Sequence, residues 1–488
     1  MSVSIVQYFG EQKNKCGYCT GTECSKSHGL HAFRLSCDDY QELIDRGWRR
    51  CGNYCYKPQN DITCCPCYTI KCDAQQFKLT KSNKRILRRM NKFLRDGKSG
   101  PSTSNANGNG DGDGDDVGER GVYASELQPQ LPDKKPISIN VEQVETLSQA
   151  HVEQLKITST LDAGNGDQPA SSLAANKCKA SGSNSNPPRK KAKQMRLERR
   201  QAKLGQTPPD QQQTKALNKE KNLQDFLAVP CETDVHKLKI VLVAASDTQR
   251  TCTDAVHALY RKYQLVIHND NPARLTLASM KRFLVQSPLK HQISEDGPEM
   301  GYGSFHQQYW LDDKLIAVGV IDILPGSVSS VYFFYDPDYS FLSLGTYGSL
   351  REIDLVQKIA ARVPALKFYY MGFYIHSCPK MRYKGKLDAS YLLCPETYVW
   401  LPLTDDIRSK LDANKYQRLN PDAAARDANE FLSNHLNDVK LLVNGKSYIT
   451  YKVFVQIEGD NDGRDDIMEY SKLVGKVCAQ RMLYVNML

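Results

Sequence analysis

The segment Gly301-Tyr302-Gly303-Ser304-Phe305-His306-Gln307-Gln308-Tyr309-Trp310 runs into Leu311-Asp312-Asp313-Lys314-Leu315-Ile316-Ala317-Val318-Gly319-Val320-Ile321-Asp322-Ile323-Leu324. Residues 309–324 read as a β-hairpin. Asp312-Asp313 supplies the turn, and Val318, Val320 and Ile321 give the second arm its strand character. Strands are expected at 329–335 and 366–375, with a helix over 350–363 between them. Further strands are expected at 237–244 and 447–457, and a closing helix at 465–482. Strands interspersed with helices predict a sheet domain of the α/β or α+β kind.

Residues 301–400 also hold 20 of the chain's 43 aromatics, set among Gln, His and Asp. Tyr and His offer apolar bodies with hydrogen-bonding tips. Composition leaves two readings open: a core with satisfied hydroxyls, or a cleft for a polar ligand.

The 488 residues are too many for one typical core. Mean hydropathy is −0.54. The net charge of +10 is concentrated at the amino terminus, where residues 1–96 carry 17 Lys/Arg against 9 Asp/Glu. Phosphate partners fit that end. The start of the chain lacks a charged lead into a long apolar run, and no stretch is long enough to span a bilayer. No membrane association is predicted; the protein is expected in the cytoplasm, and in the nucleus if the basic run described below acts as an import signal.

Residues 1–96 read as a Cys-rich unit. Ten of the 16 cysteines lie between Cys16 and Cys72, which in a reducing compartment favours a metal site over disulfides. Cys16-Gly17-Tyr18-Cys19 places two thiolates on one side of a turn, and Cys64-Cys65 can add two more if Pro66 helps kink the chain. Four thiolates suit zinc or an iron–sulfur cluster, and spacing does not choose between them. Cys24, His28, His31, Cys37, Cys67 and Cys72 are further candidates. The unit ends in an amphipathic helix with Ile86, Met90 and Phe93 on one face and Lys84, Arg85, Arg88, Arg89, Lys92 and Arg95 on the other. Six cations without an anion suit a phosphate-facing surface.

Residues 97–221 lose periodicity. Gly/Asn/Asp repeats at 107–114 and a Ser/Asn/Pro stretch at 181–188 predict a disordered linker. A basic run opening with Arg189-Lys190-Lys191-Ala192-Lys193 has three readings: an import signal, an RNA-contacting arm, or a solvated charge run. Residues 222–488 complete the organisation. Within them, Gly345-Thr346-Tyr347-Gly348 could cradle an anion at a helix start or simply turn tightly. Lys380, Arg382, Lys384 and Lys386 alternate with Met381, Tyr383 and Gly385, a pattern suited to a phosphodiester backbone with Tyr383 stacking on a base.

In order, Cys16–Cys19, Asp45-Arg46-Gly47-Trp48-Arg49-Arg50, Tyr56-Lys57-Pro58 and Thr63-Cys64-Cys65-Pro66 resemble the amino-terminal region of eukaryotic arginyl-tRNA–protein transferases. The segments 301–310, 317–325, 335–345, 369–385 and 393–400 resemble that family's carboxy-terminal domain. The resemblance covers roughly residues 5–96 and 222–430. It implies an α+β protein with an acetyltransferase-like (GNAT-type) carboxy-terminal domain. It implies transfer of arginine from Arg-tRNA to proteins beginning with Asp, Glu or oxidised Cys, marking them for ubiquitin-dependent degradation. It assigns Cys16, Cys19, Cys64 and Cys65 to the metal or cluster, and leaves out Cys51, Cys55 and Cys67.

The aminoacyl ester is already activated, so the transfer needs no nucleotide or CoA cofactor. A positioned base would deprotonate the attacking α-amine. His306, Asp322, Tyr335, Asp336 and His376 are the candidates. His306, Gln308 and Lys380 are candidates for the acceptor's carboxylate. Asp322, Asp336, Asp338 and Glu396 are candidates for the incoming guanidinium. Tyr309 and Tyr374 complete the expected substrate contacts. Arg85, Arg88, Arg89, Lys92, Arg382, Tyr383 and Lys384 are expected to hold tRNA. Two rivals remain: a non-catalytic, metal-containing RNA-binding adaptor, which leaves residues 301–400 unexplained, and a CoA-dependent acetyltransferase, which the missing glycine pattern disfavours.

Overall fold

The computed structural model describes residues 3–19, 21–97, 135–144, 221–459 and 463–486. The basic run at 189–203 and both low-complexity stretches of the expected linker lie outside them.

The hairpin forms where its residues place it. β7 (Gly303–Leu311) and β8 (Lys314–Leu324) pair antiparallel around Asp312 and Asp313. Both turn residues take positive φ, 46° and 67°, the left-handed pair that matches a two-residue turn to the strand twist. Asp312 accepts a hydrogen bond from the Lys237 N–H at 2.7 Å, so its carboxylate also ties down the approach to β6 (Leu238–Ala244). β9 (Ser327–Tyr335) pairs antiparallel with β8, and β10 (Phe368–Tyr374) pairs parallel with β9. These strands join β5 (Tyr68–Asp73), β11 (Ser390–Leu393) and β12 (Trp400–Pro402) in an eight-stranded sheet of order β12-β11-β5-β10-β9-β8-β7-β6.

A second, seven-stranded sheet has the order β14-β13-β15-β1-β2-β4-β3. It takes β1 (Ile5–Asn14), β2 (Ser25–Arg34), β3 (Arg49–Cys51) and β4 (Tyr54–Pro58) from one end of the chain. β13 (Lys440–Val443), β14 (Ser447–Thr450) and β15 (Leu483–Val485) come from the other. Both sheets therefore draw strands from either side of the expected linker. β5 is buried at every residue, and its partners β10 and β11 both lie in the carboxy-terminal segment.

Helices cover the eight-stranded sheet. α1 (Cys37–Ile44) belongs to the amino-terminal segment. α2 (Lys81–Asp96) is the expected basic helix. Thr80 and Asn83 form its capping box, and Gly97 ends it at φ 66°. Ile86, Leu87, Met90, Phe93 and Leu94 bury one face, which packs on α4 (Leu344–Ala360). α3 (Asp254–Tyr263) and α5 (Asp405–Ala413) flank the strands, and α7 (Arg464–Arg481) closes the chain with a break at Gly475.

Two expectations are corrected. The strand expected over 447–457 ends at Thr450, and Tyr451–Glu458 forms helix α6. Val453, Val455 and Ile457 imitate strand alternation. The buried pair Tyr451 and Phe454, spaced i, i+3, decides for the helix and leaves Ile457 66% exposed. Residues 135–144 also interrupt the expected linker. Ile139, Val141 and Val144 pack against Ile5, Leu442, Leu483 and Val485, and the Ile137 N–H donates to Gln7 at 3.1 Å.

Candidate functional site

β9 and β10 pair only at Phe368–Ser327, Tyr369–Val328 and Tyr370–Ser329. Beyond these residues each strand follows its other neighbour. Gly372, at φ 67°, lets β10 bulge against β5 between Tyr370 and Phe373. The parted strands leave a narrow cleft under the start of α4, walled by Tyr332, Phe333, Tyr369, Met371, Tyr383 and Lys384. A Cβ at Gly348 would lie 2.4 Å from the Phe333 ring, so this glycine lets α4 approach β9. That is the tight-turn reading of the Gly345–Gly348 stretch. Gly345 itself faces the cleft.

Glu352 lines the cleft and is 1% exposed. The Tyr369 hydroxyl donates to its Oε2 at 2.5 Å, the Ser330 hydroxyl also favours the charged carboxylate, and Oε1 makes no hydrogen bond of ordinary geometry. Burial pushes this carboxyl up to about 7. A half-satisfied carboxylate among aromatic rings is complementary to a guanidinium, which pairs with Oε1 and stacks on the rings. Sequence reasoning missed it. The available signal was a carboxylate on the same helix stripe as Val356 and Ile359, both buried.

His376 follows β10. Its Nε2 lies 2.7 Å from Asp412 of α5, and its Nδ1 lies 2.6 Å from the Tyr374 hydroxyl. Nε2 faces both the Asp412 carboxylate, which only accepts, and the Arg382 guanidinium at 3.1 Å, which only donates. Arg382 also donates to Asp412, at 3.3 Å. This group sits beside the 383–384 wall of the cleft. It unites three expected residues, Tyr374, His376 and Arg382, with Asp412, which nothing in the sequence singled out.

The other expected catalytic and substrate-binding residues are not among those lining the cleft. His306 is buried; its Nε2 is 2.9 Å from the Leu284 carbonyl, and burial lowers its pKa to about 4. Asp322 is fully buried in a two-bond pair with Arg50, at 2.7 and 2.5 Å. Tyr335 packs edge-on against Tyr263. Asp336 takes Lys262 at 2.5 Å and Lys314 at 2.8 Å and caps the following turn through the Asp338 N–H. Exposed Asp338 also holds Lys262. Gln308 accepts from Trp310 and donates to the Arg250 carbonyl, and Tyr309 donates to Gln307. Glu396 accepts from Tyr416 and Arg418 on the surface. Lys380 is exposed.

The 380–386 segment is not an alternating strand. It coils as a helical turn, Pro379–Arg382, followed by Tyr383–Lys386, because Pro379 starts the turn and has no N–H for a ladder. Arg382 is exposed, whereas Lys384 is 7% exposed and lines the cleft. On α2, Arg85, Arg88 and Lys92 are exposed, while Arg89 donates to the Phe341 carbonyl at 2.7 Å.

The four expected cysteine ligands converge. The sulfurs of Cys16, Cys19, Cys64 and Cys65 lie within 4.8 Å of one another, as a shared ion with sulfur bonds of about 2.3 Å requires. The donor set fits zinc or an iron–sulfur cluster. The Gly21 backbone N–H, with help from Cys64, pulls the exposed Cys19 thiol down to about 6, so it is largely thiolate at neutral pH. Cys24 adjoins the set through its carbonyl, which accepts from the Cys64 N–H at 3.0 Å. Replacing Cys16 and Cys65 together by serine is expected to abolish metal binding, read by elemental analysis of anaerobically purified protein.

Among the described residues no helix is long and apolar enough to cross a membrane. A sequence model described as the C terminus of arginine-tRNA-protein transferase matches residues 218–394, and one for its N terminus matches residues 14–85. The chain is 61% identical to arginyl-tRNA–protein transferase 1 of Drosophila melanogaster over 100% of both chains. It is 34% identical to arginyl-tRNA–protein transferase 2 of Arabidopsis thaliana over 85% of this chain and 78% of that one. It is also 35% identical to an aspartate/glutamate leucyltransferase of Campylobacter jejuni over 113 residues, covering 23% of this chain and 44% of the relative.

Proposed function

The chain belongs to the arginyl-tRNA–protein transferase family and is an enzyme that moves arginine from tRNA to proteins, and we propose that its acceptors begin with Asp, Glu or oxidised Cys. The product would be a degradation signal read by the ubiquitin system. Support for acidic acceptors comes from the bacterial relative, whose name joins aspartate and glutamate to an aminoacyl transfer.

The observation that carries the catalytic reading is the cleft between β9 and β10, with Glu352 at its floor. A mixed sheet whose two parallel strands part beneath a helix start supports a GNAT-type assignment. In this reading the aminoacyl end of the tRNA enters the cleft, and Glu352 receives the arginine guanidinium through Oε1. The α-amine nitrogen of the acceptor attacks the ester carbonyl. A peptide bond forms, the ester C–O bond breaks, and the proton lost by the amine ends on the departing ribose oxygen. Tyr374, His376 and Asp412 form a line of hydrogen bonds able to carry that proton. A zinc ion or iron–sulfur cluster held by Cys16, Cys19, Cys64 and Cys65 would fix loops of the amino-terminal segment and takes no step of the transfer.

The direct test uses purified protein, radiolabelled Arg-tRNA and peptides beginning with Asp, Glu or Gly. Label on the acidic peptides alone is the expected result; equal labelling of the Gly peptide sinks the acceptor reading. Replacing Arg85, Arg88 and Lys92 by glutamine should weaken tRNA binding. It should also flatten the slope of log affinity against log salt by about 2 to 3 units. An unchanged slope removes α2 from the tRNA interface.

A further inference from the structure

The connection between β1 and β2, residues 15–24, carries three cysteines: Cys16, Cys19 and Cys24. The connection between β4 and β5, residues 59–67, adds Cys64, Cys65 and Cys67. Cys16, Cys19, Cys64 and Cys65 form the sulfur set described above. Cys67 turns its thiol to the Cys65 carbonyl, at 3.2 Å. Cys24 has a different setting.

Two contacts place the Cys24 sulfur at the edge of the set. Its thiol hydrogen-bonds with the Cys64 thiol. A Cβ at Gly21 would lie 2.5 Å from Cys24 Sγ and 3.6 Å from Cys19 Sγ, so the two sulfurs crowd one face of this glycine. Backbone bonds hold the arrangement. The Cys64 N–H donates to the Cys24 carbonyl at 3.0 Å, and the Cys16 N–H donates to the Gly21 carbonyl at 2.8 Å. The Lys26 N–H donates to Thr63 Oγ1 at 3.2 Å. The two connections are therefore clipped together beside Cys24.

Five thiols thus gather where a tetrahedral ion takes four. The four expected ligands differ in exposure. Cys16 and Cys65 are buried and Cys64 is half-buried, whereas Cys19 is exposed. An exposed ligand thiolate is the one that alkylating or oxidising reagents reach first. We propose that Cys24 is a reserve ligand of the cysteine centre: when Cys19 leaves the metal, Cys24 Sγ takes the vacated position and restores four sulfurs. One metal–sulfur bond breaks and one forms. The Cys24 thiol gives its proton to the departing Cys19 thiolate, or to solvent when Cys19 is blocked, and no electron is transferred. The centre then survives damage at its one exposed ligand.

The test uses the full chain, purified anaerobically, with bound zinc and iron read by elemental analysis. Cys19→Ser and Cys24→Ser are each expected to keep the metal content of wild type. Combining Cys19→Ser with Cys24→Ser should empty the centre, whereas combining Cys19→Ser with Cys67→Ser should not. Wild type gives a reading that needs no variant. A limiting amount of N-ethylmaleimide should label Cys19 first, and native mass spectra should show the singly labelled chains still holding metal. In those chains Cys24 should resist a second label until EDTA removes the metal. The proposal is overturned if Cys19→Ser alone loses the metal or if the Cys19→Ser, Cys24→Ser variant keeps it. It is also overturned if wild-type chains labelled at Cys19 release their metal.

Discussion

Replacing Glu352 by glutamine should lower kcat/KM for arginine transfer about 100-fold at pH 8, because a neutral amide cannot supply the charge-assisted pair to a guanidinium. The wild-type rate should rise with pH through about 7, where burial has moved this carboxyl from its ordinary 4.5. Glutamine should flatten that limb, and below pH 6 the two enzymes should converge as wild-type Glu352 takes up its proton. The limb belongs to kcat/KM, which reports the free enzyme. A variant within a few-fold of wild type at pH 8 would remove the guanidinium from this cleft.

The same substitution should raise the melting temperature. The folded pKa lies above the unfolded one, so this group's contribution to stability is fully present below about pH 4.5. It is lost as pH rises through 7. Above that pH the folded protein holds a desolvated carboxylate at a penalty on the order of 3 kcal/mol. Glutamine keeps the bond from Tyr369 and carries no charge, so the gain in melting temperature should be largest at pH 8 and shrink below pH 5. A site that weakens the free protein and is satisfied only by its ligand behaves this way. A Glu352 that merely packed would show the pH-dependent gain without the rate loss.

How much of this was legible in the sequence depended on the range of the interaction. The hairpin at 303–324 was readable because its turn is local: Asp312 and Asp313 tolerate the left-handed region and lie between apolar runs. α2 was readable from its spacing and its cap. The convergence of Cys16, Cys19, Cys64 and Cys65 was expected because a CxxC turn carries its own geometry. The partner of β5 was not readable, since Thr69 meets Phe373 across some three hundred residues. Glu352 went unnoticed for the same reason. Its meaning comes from Tyr369 on another strand, and a helix read alone shows only a carboxylate among apolar neighbours.

Asp322 shows the converse, a residue whose sequence setting suggested chemistry and whose surroundings give it a structural task. Arg50 on β3 and Asp322 on β8 join the two sheets, and the Ser304 hydroxyl donates to Asp322 Oδ1 at 2.6 Å. Burial alone would depress the Arg50 guanidinium; the carboxylate overrides that and holds its pKa above the ordinary value. Asp322→Asn strands this cation in the interior and should destabilise the protein by roughly 3–5 kcal/mol. Turnover per folded molecule, measured well below the melting transition, should stay within a few-fold of wild type. The double variant Arg50→Met, Asp322→Leu removes both charges and should recover much of the lost stability, giving a large coupling in a double-mutant cycle. Were Asp322 the general base, asparagine would also abolish turnover per folded molecule, and removing Arg50 as well would restore stability but not activity.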